Sequence, residues 1–275
     1  MPEGHNNEVT QPTPTVPAVS LSDVSIVFNN FTAVKKVSLD VLDGQFLAIV
    51  GPTGCGKSTL LNVAAGLLEP ATGTCDIFGQ RLSGINHKAG YLFQTDALMP
   101  WKTAVDNIAI GLEIRGVARS KALSLSHEWL ARVGLQAFGN RYPHQLSGGQ
   151  RKRVSLAQVL ILNPKLILMD EPFGPLDAQT RALMGDLLLK LWSNDRKAVM
   201  FVTHDLEEAI TLADRVVIIS AGPASSIKGD YMINLPRPRE LQEIRLTQEF
   251  ADIHRTLWND LKEEVLKAYE QGDRS

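Results

Sequence analysis

Residues 46–62 read FLAIVGPTGCGKSTLLN, and the order of the parts in this stretch decides the fold. Phe46 to Val50 is an unbroken apolar run, as expected of a strand buried on both faces of a parallel sheet. Gly51, Pro52, Thr53, Gly54, Cys55, Gly56, Lys57 and Ser58 then spell G-x-x-x-x-G-K-S, Thr59 follows, and the chain turns helical through STLLNVAAGLL. Strand, glycine loop and helix form the context this spacing needs. The glycines let backbone N–H groups turn inward on a triphosphate, and the helix N-terminus adds the positive end of its dipole. Lys57 is placed to reach the β- and γ-phosphates, and Ser58 to set a hydroxyl on Mg²⁺. Cys55 is read as a small loop residue with no redox purpose.

Outward from this stretch, apolar runs and helical patterns alternate. LSDVSIVF and VSLDVLDGQFLAIVG read as β-rich, GTCDIFGQRL as a short strand and turn, and AGYLFQ as another strand. KLILMDEP and AVMFVTHD are apolar runs with acidic or polar ends, the mark of buried parallel strands with functional tips, and RVVIIS is a further strand. Between Trp101 and Arg132 the pattern is helical, and Val154, Ala157, Leu160 and Ile161 share one face of a later helix. The expected fold is α/β: a parallel sheet, an antiparallel β region and an inserted all-helical subdomain. LPRPRE is read as a stiff linker. Phe250, Ile253, Leu257, Leu261 and Val265 then recur at helical spacing, as a helix packed on its own domain or, alternatively, one that binds a partner.

The composition narrows the function. With 275 residues, 44% hydrophobic and 21% charged, the chain is of the soluble globular class. A net charge of −2 gives no basic field, so nucleic acid is not an expected partner. No apolar run approaches the roughly 20 residues that span a bilayer, and the protein is expected not to enter a membrane by itself. Two cysteines, Cys55 and Cys75, suit a reducing compartment better than a disulfide framework. MPEGHNNEVTQPTPTVP is polar and proline-rich, as in a disordered tail and unlike a signal peptide.

Two further stretches carry chemistry. In LILMDEP, Asp170 ends a strand and is placed near the metal, while Glu171 can orient and deprotonate an attacking water. Two adjacent carboxylates repel, so a cation is expected beside them. In LSGGQRKR, from Leu146, Ser147 and Gln150 form a capping-box pattern. A cap needs no paired glycines, however, and Gly148-Gly149 lets backbone amides approach an anion closely. No phosphate-loop lysine follows, so this stretch looks like half of a nucleotide site. Asp205 with Glu208 is a second capping-box pattern, and both are read as helix caps.

GPTGCGKST, LSGGQ, LILMDE and THD, in this order and spacing, resemble the ATP-binding cassette (ABC) ATPases from about Leu21 to Pro238. The resemblance implies a P-loop ATPase domain over 19–238 with its helical insertion at about 97–155, after a tail over 1–18 and before a C-terminal helical extension over 239–275. It implies ATP and Mg²⁺ as ligands, and two subunits head to tail around two nucleotides. Leu146, Ser147, Gly148, Gly149 and Gln150 of one subunit would complete the γ-phosphate shell of the other's ATP. By position Gln94 resembles the glutamine that contacts Mg²⁺ and the water, His204 the switch histidine at the γ-phosphate, and Asp177 the loop aspartate at the dimer interface. Phe28 stands where the family stacks an aromatic on adenine, with a core phenylalanine as the alternative. Pro175 and Gln158 depart from the residues commoner at their positions.

DALMPW, EPFGPLDAQTR and LPRPR look like the nitrate/sulfonate/bicarbonate (taurine-type) importer branch. That implies uptake of a small, anionic solute through separate permease subunits docking near Gln94 to Trp101, with a solute-binding protein acting indirectly. Leu98, Met99 and Trp101 are the apolar anchors for that groove, or else pack the insertion's own core. The implied location is peripheral, on the cytoplasmic face of the inner membrane. The alternatives are a non-transport cassette ATPase acting on a soluble partner and a P-loop kinase.

Overall fold

The computed structural model describes residues 16–272; residues 1–15 and 273–275 lie outside the described residues, and with them most of the expected tail. Of that tail Ala18 is fully buried, its N–H donating to Val41 O at 2.8 Å just before the first strand.

Among the described residues an antiparallel hairpin comes first: β1 (Val19–Phe28) and β2 (Phe31–Val41), with Phe28 opposite Phe31 across the turn. Asn29 makes that turn at φ 54°, a conformation asparagine tolerates. The sequence pattern located this strand only from Val37, but it extends back to Phe31. After β3 (Phe46–Val50) and helix α1 (Lys57–Ala65), strands β4 (Thr72–Ile77) and β5 (Gln80–Arg81) join the hairpin in the order β2-β1-β4-β5. Next come β6 (Ala89–Leu92) and helices α2 (Ala104–Ile114), α3 (Arg119–Arg132) and α4 (Gly148–Leu160). Strand β7 (Leu166–Asp170), helix α5 (Ala178–Asn194), β8 (Ala198–Val202), α6 (Leu206–Leu212), β9 (Arg215–Ile219) and β10 (Ile227–Met232) follow.

The central sheet has the order β10-β9-β3-β8-β7-β6, parallel except for β10. β3 and β8 are buried at every position, which is why they read as continuous apolar runs. Side chains alternate between two cores. Phe46, Ala48, Val50, Val199 and Phe201 face the layer of α5 and α6, while Leu47, Ile49, Met200 and Val202 face α1 and the antiparallel sheet. A third core, with Ile108, Leu130 and Val154, belongs to the inserted helices. Val154, Ala157 and Ile161 enter that core together, but Leu160 turns away and packs against the main one. The face expected from spacing therefore divides between two cores.

The C-terminal segment departs from the linker reading. Arg237 donates to Asp214 Oδ1 and Leu212 O, and its guanidinium lies 4.5 Å from the Trp192 ring centroid. Arg239 is 7% exposed and donates to Ile210, Thr211, Ala213, Ile233 and Leu235 carbonyls at 2.7 to 3.3 Å. It occupies the C-terminal end of α6, where unpaired carbonyls and the negative end of the dipole favour a cation. After α7 (Leu241–Ile244), helix α8 (Gln248–Gly272) inserts Phe250, Leu257 and Leu261 into the main core. This packing is the first of the two readings of the periodic stretch. Among the described residues no helix is long and apolar enough to cross a membrane.

Removing Arg239 strands several buried carbonyls at once, at a cost on the order of 3 kcal/mol. Arg239→Ala is expected to lower the melting temperature by roughly 5–10 °C. A drop of under 2 °C in a thermal melt refutes the anchoring role.

Candidate nucleotide-binding site

The ends of β3, β7 and β8 open on one edge of the sheet, as they must in a parallel array. Gly51 leaves β3 so close to β9 that a Cβ there would lie 2.7 Å from Ile219 O. Gly54 and Gly56 have φ 79° and 91°, which the loop's tight inward turn requires of glycine. Lys57 is 5% exposed, and its ammonium donates to Gly51 O and Pro52 O at 2.9 Å each. Cys55 is buried and its burial pushes the thiol up, so it stays protonated and inert.

Ser58 Oγ donates to Asp170 Oδ1 at 2.8 Å, tying the start of α1 to the end of β7. Burial pushes the Asp170 carboxyl above the usual range; the Ser58 hydroxyl opposes this, and the Glu171 charge adds to it. A divalent cation relieves both the burial and the repulsion. Hydroxyl and carboxylate oxygens are the donors a small hard cation accepts while keeping water. Ser58 and Asp170 thus fit Mg²⁺, although the described residues contain no cluster of three His, Cys, Asp or Glu side chains able to hold a metal.

Two side chains converge on one oxygen of Glu171. His204 Nδ1 lies 3.0 Å from Oε2, and Gln94 Nε2 donates to the same atom at 3.3 Å. Glu171 sits at φ 39°, uncommon for a side-chain-bearing residue, and its N–H is fixed to Val202 O at 2.9 Å. Gln94 lies two residues beyond β6, His204 two beyond β8. Together with Lys57, Ser58 and Thr59 they line a cleft of about 530 Å³. Phe28 stands at its edge, 46% exposed and outside the core. Its cross-strand partner Phe31 lines the same cleft. The sequence reading missed Phe31; the Asn-Asn turn between two aromatics was the available signal.

Leu146 to Gln150 do not line this cleft. Ser147 Oγ accepts from Gln150 N–H at 3.2 Å, and Gln150 Oε1 accepts from Ser147 N–H at 2.9 Å, a complete capping box. A Cβ on Gly149 would lie 2.6 Å from Thr180 Cγ2, so close packing against α5 is one reason for that glycine. Asp177 caps α5, its Oδ1 accepting from Thr180 N–H at 2.9 Å, and this bond holds the exposed carboxyl below its usual value. The basic residues after LSGGQ have a use the sequence did not reveal. Lys152 is 2% exposed and donates to Phe93 O and Gln94 O, with Asp96 Oδ1 3.3 Å away, while Arg151 binds Asp96 Oδ2 at 3.1 Å and Leu146 O at 2.7 Å. The helix after LSGGQ therefore holds the loop that carries Gln94. Of the apolar anchors, Trp101 is 73% exposed while Leu98 packs into the insertion's core.

The second capping box closes differently from its pattern. Asp205 Oδ1 accepts from Glu207 and Glu208 N–H, as a cap should. Glu208, however, is buried and accepts from Thr203 Oγ1 at 2.8 Å, and Thr203 Oγ1 in turn accepts from Asp205 N–H. Burial pushes Glu208 up to about 7, with Asp205 adding and Thr203, Arg181 and His204 opposing. A carboxyl raised in the folded state binds its proton more tightly there than in the unfolded chain. Its stabilising share is complete below about 4.5 and is lost as pH rises through about 7. Glu208→Gln keeps an acceptor for Thr203 and removes this loss, which is at most about 3 kcal/mol. Denaturant unfolding at pH 5 and pH 8 is expected to show a flatter pH dependence in the variant. An equal dependence in both proteins overturns the assignment.

Comparison with known proteins bears on all of this. The profile of the ABC transporter family matches residues 34–174. An uncharacterized ABC transporter ATP-binding protein of Methanocaldococcus jannaschii is 41% identical over 240 residues, 87% of this chain and 88% of that one. The taurine import ATP-binding protein TauB of Escherichia coli K12 is 44% identical over 191 residues, 70% of this chain and 75% of that one. Among solved structures, a dimeric ATP-binding cassette in a post-hydrolysis state bound to ADP and Pi superposes with a TM-score of 0.70 at 30% identity, over 79% of this chain and all of that one. The parallel sheet, its phosphate loop and the inserted helices are those of a P-loop cassette, and this chain belongs to the ABC transporter family as its ATP-hydrolysing component.

Proposed function

We propose that this chain is the ATPase subunit of an importer, in which two copies close head to tail around two Mg-ATP to drive uptake through separate permease subunits. The observation that carries this reading is the division of the site. Lys57, Ser58, Glu171, Gln94 and His204 gather at one cleft, with Asp170 bonded behind Ser58, while Ser147 to Gln150 stand outside it with glycine amides at a helix start. A second copy supplies the missing half, its LSGGQ meeting the γ-phosphate held by this chain's loop. Residues 19–238 form the ATPase domain and 239–275 its helical extension.

In this reading the Gly54 and Gly56 region and the start of α1 receive the phosphates, and Phe28 with Phe31 flanks the base. Ser58 and Asp170, with Gln94, would hold Mg²⁺, which would supply positive charge against the β- and γ-phosphates. Glu171 takes the proton of the attacking water through Oε2. Gln94 already donates to that atom and His204 Nδ1 lies against it, so they fix the carboxylate's aim and exchange these contacts for the water and the γ-phosphate when nucleotide enters. Asp177 lies beside the partner across the interface.

Trp101, exposed next to the Gln94 loop, is the anchor for a permease helix, and Lys152 and Arg151 carry its position back to LSGGQ. The likeness to TauB supports a small anionic solute of the taurine, sulfonate, nitrate or bicarbonate kind, delivered by a solute-binding protein. The chain then works peripherally on the cytoplasmic face of the inner membrane.

Glu171→Gln is expected to lower steady-state hydrolysis at least 100-fold while ATP still binds, the range of a lost general base. Near-normal turnover removes Glu171 from that role. In mixed dimers, Ser147→Arg in one subunit is expected to silence the nucleotide held by the other subunit's phosphate loop. Loss confined to the mutant's own loop refutes the shared site.

A further inference from the structure

We infer that Ser225, in the turn between β9 and β10, is a positioning residue that sets the phosphate loop from behind. Ser225 is fully buried. Its Oγ lies 2.6 Å from Cys55 O, in the middle of the loop, and 2.9 Å from Ala33 O on β2. A hydroxyl has one proton to donate. Ala33 O already accepts the Ser225 N–H at 3.2 Å, and Ser225 O accepts from Lys35 N–H at 2.8 Å. The backbone pairing with β2 therefore fixes Ser225 and leaves its hydroxyl proton for Cys55 O, the shorter contact.

The consequence follows from peptide planarity. In a trans peptide the C=O and the next N–H point in opposite directions. Cys55 C=O drawn toward Ser225 turns the Gly56 N–H away from it, and Gly56 lines the nucleotide cleft. Gly56 packs closely against β2: a Cβ there would meet Val34 Cγ2 at 2.6 Å. A residue far along the chain thus orients one of the amides that face the phosphates, without touching nucleotide itself. The turn that carries it is held on its other side by α8, where Glu264 Oε2 accepts from Ala221 N–H at 2.8 Å. The hydroxyl is a fixed post rather than a mobile one.

The inference rests on the loop's holding ATP, so Lys57→Ala is measured beside it in the full-length chain. Ser225→Ala is expected to weaken Mg-ATP binding roughly 5-fold, the usual worth of one buried neutral hydrogen bond. Ser225→Cys, with a weaker donor of similar size, is expected to fall between the two. Ser220→Ala is the control: Ser220 Oγ binds Ser226 N–H in the same turn and does not touch the loop. It is expected to keep wild-type affinity. Calorimetric titration with Mg-ATP gives the affinities, and thermal melts without nucleotide establish which variants fold. Wild-type affinity in a folded Ser225→Ala overturns the inference, as does an equal loss in Ser220→Ala. If Ser225→Ala does not fold, Ser225→Cys decides alone, and an unchanged Kd there overturns it. Wild-type affinity in Lys57→Ala places the fault in the phosphate-loop reading instead.

Discussion

The structure depends on β3 being buried on both faces. A five-residue strand with no polar side chain can offer nothing along its length, so its chemistry is confined to its end. Parallel pairing puts the ends of β7 and β8 on that same edge. Asp170, Glu171 and His204 thereby reach the phosphate loop from distant parts of the chain, and the Ser58–Asp170 bond joins two of those ends directly.

Gathering carboxylates there has an electrostatic cost. Asp170 is raised by burial, and Glu171 is adjacent and held in an uncommon backbone conformation. Gln94 donates to Glu171, with His204 Nδ1 at 3.0 Å from the same oxygen, and Ser58 donates to Asp170, so each carboxylate has a neutral partner that can be exchanged. Such partners hold the side chains in place yet yield to a cation, a water or a phosphate. A set of permanent ion pairs would hold them more tightly but would not yield.

The polar links between layers run along the same logic. Lys152 and Arg151 bind the Gln94–Asp96 turn to the helix that starts with LSGGQ, and Arg239 closes α6, whose N-cap Asp205 directly follows His204. Each is a buried or half-buried cation bound to backbone carbonyls, with the Asp96 carboxylate added for Lys152 and Arg151, an arrangement that fixes geometry at single points. A movement of the inserted helices therefore moves Gln94 with them. In the proposed importer this is the path by which a permease pressing on Trp101 reaches Glu171.

The chain's local chemistry was legible without coordinates. G-x-x-x-x-G-K-S, the apolar runs ending in Asp170 and before His204, and the Ser147–Gln150 cap are patterns set by neighbours within a few residues. Helix caps and buried strands depend on short-range geometry, so spacing suffices to find them. What only the tertiary structure decided is which groups meet and which of them are buried. Phe31 faces the cleft because a hairpin turns it beside Phe28, and Leu160 leaves its expected face because two cores meet at α4. Arg239 looked like linker and is an anchor, since the carbonyls that bind it are contributed by α6 and by residues before it. Glu208 bonds through Thr203 because burial, which spacing cannot report, set its proton and its partner. A sequence records which groups a residue can offer; folding determines which of them are brought within reach and shielded from water.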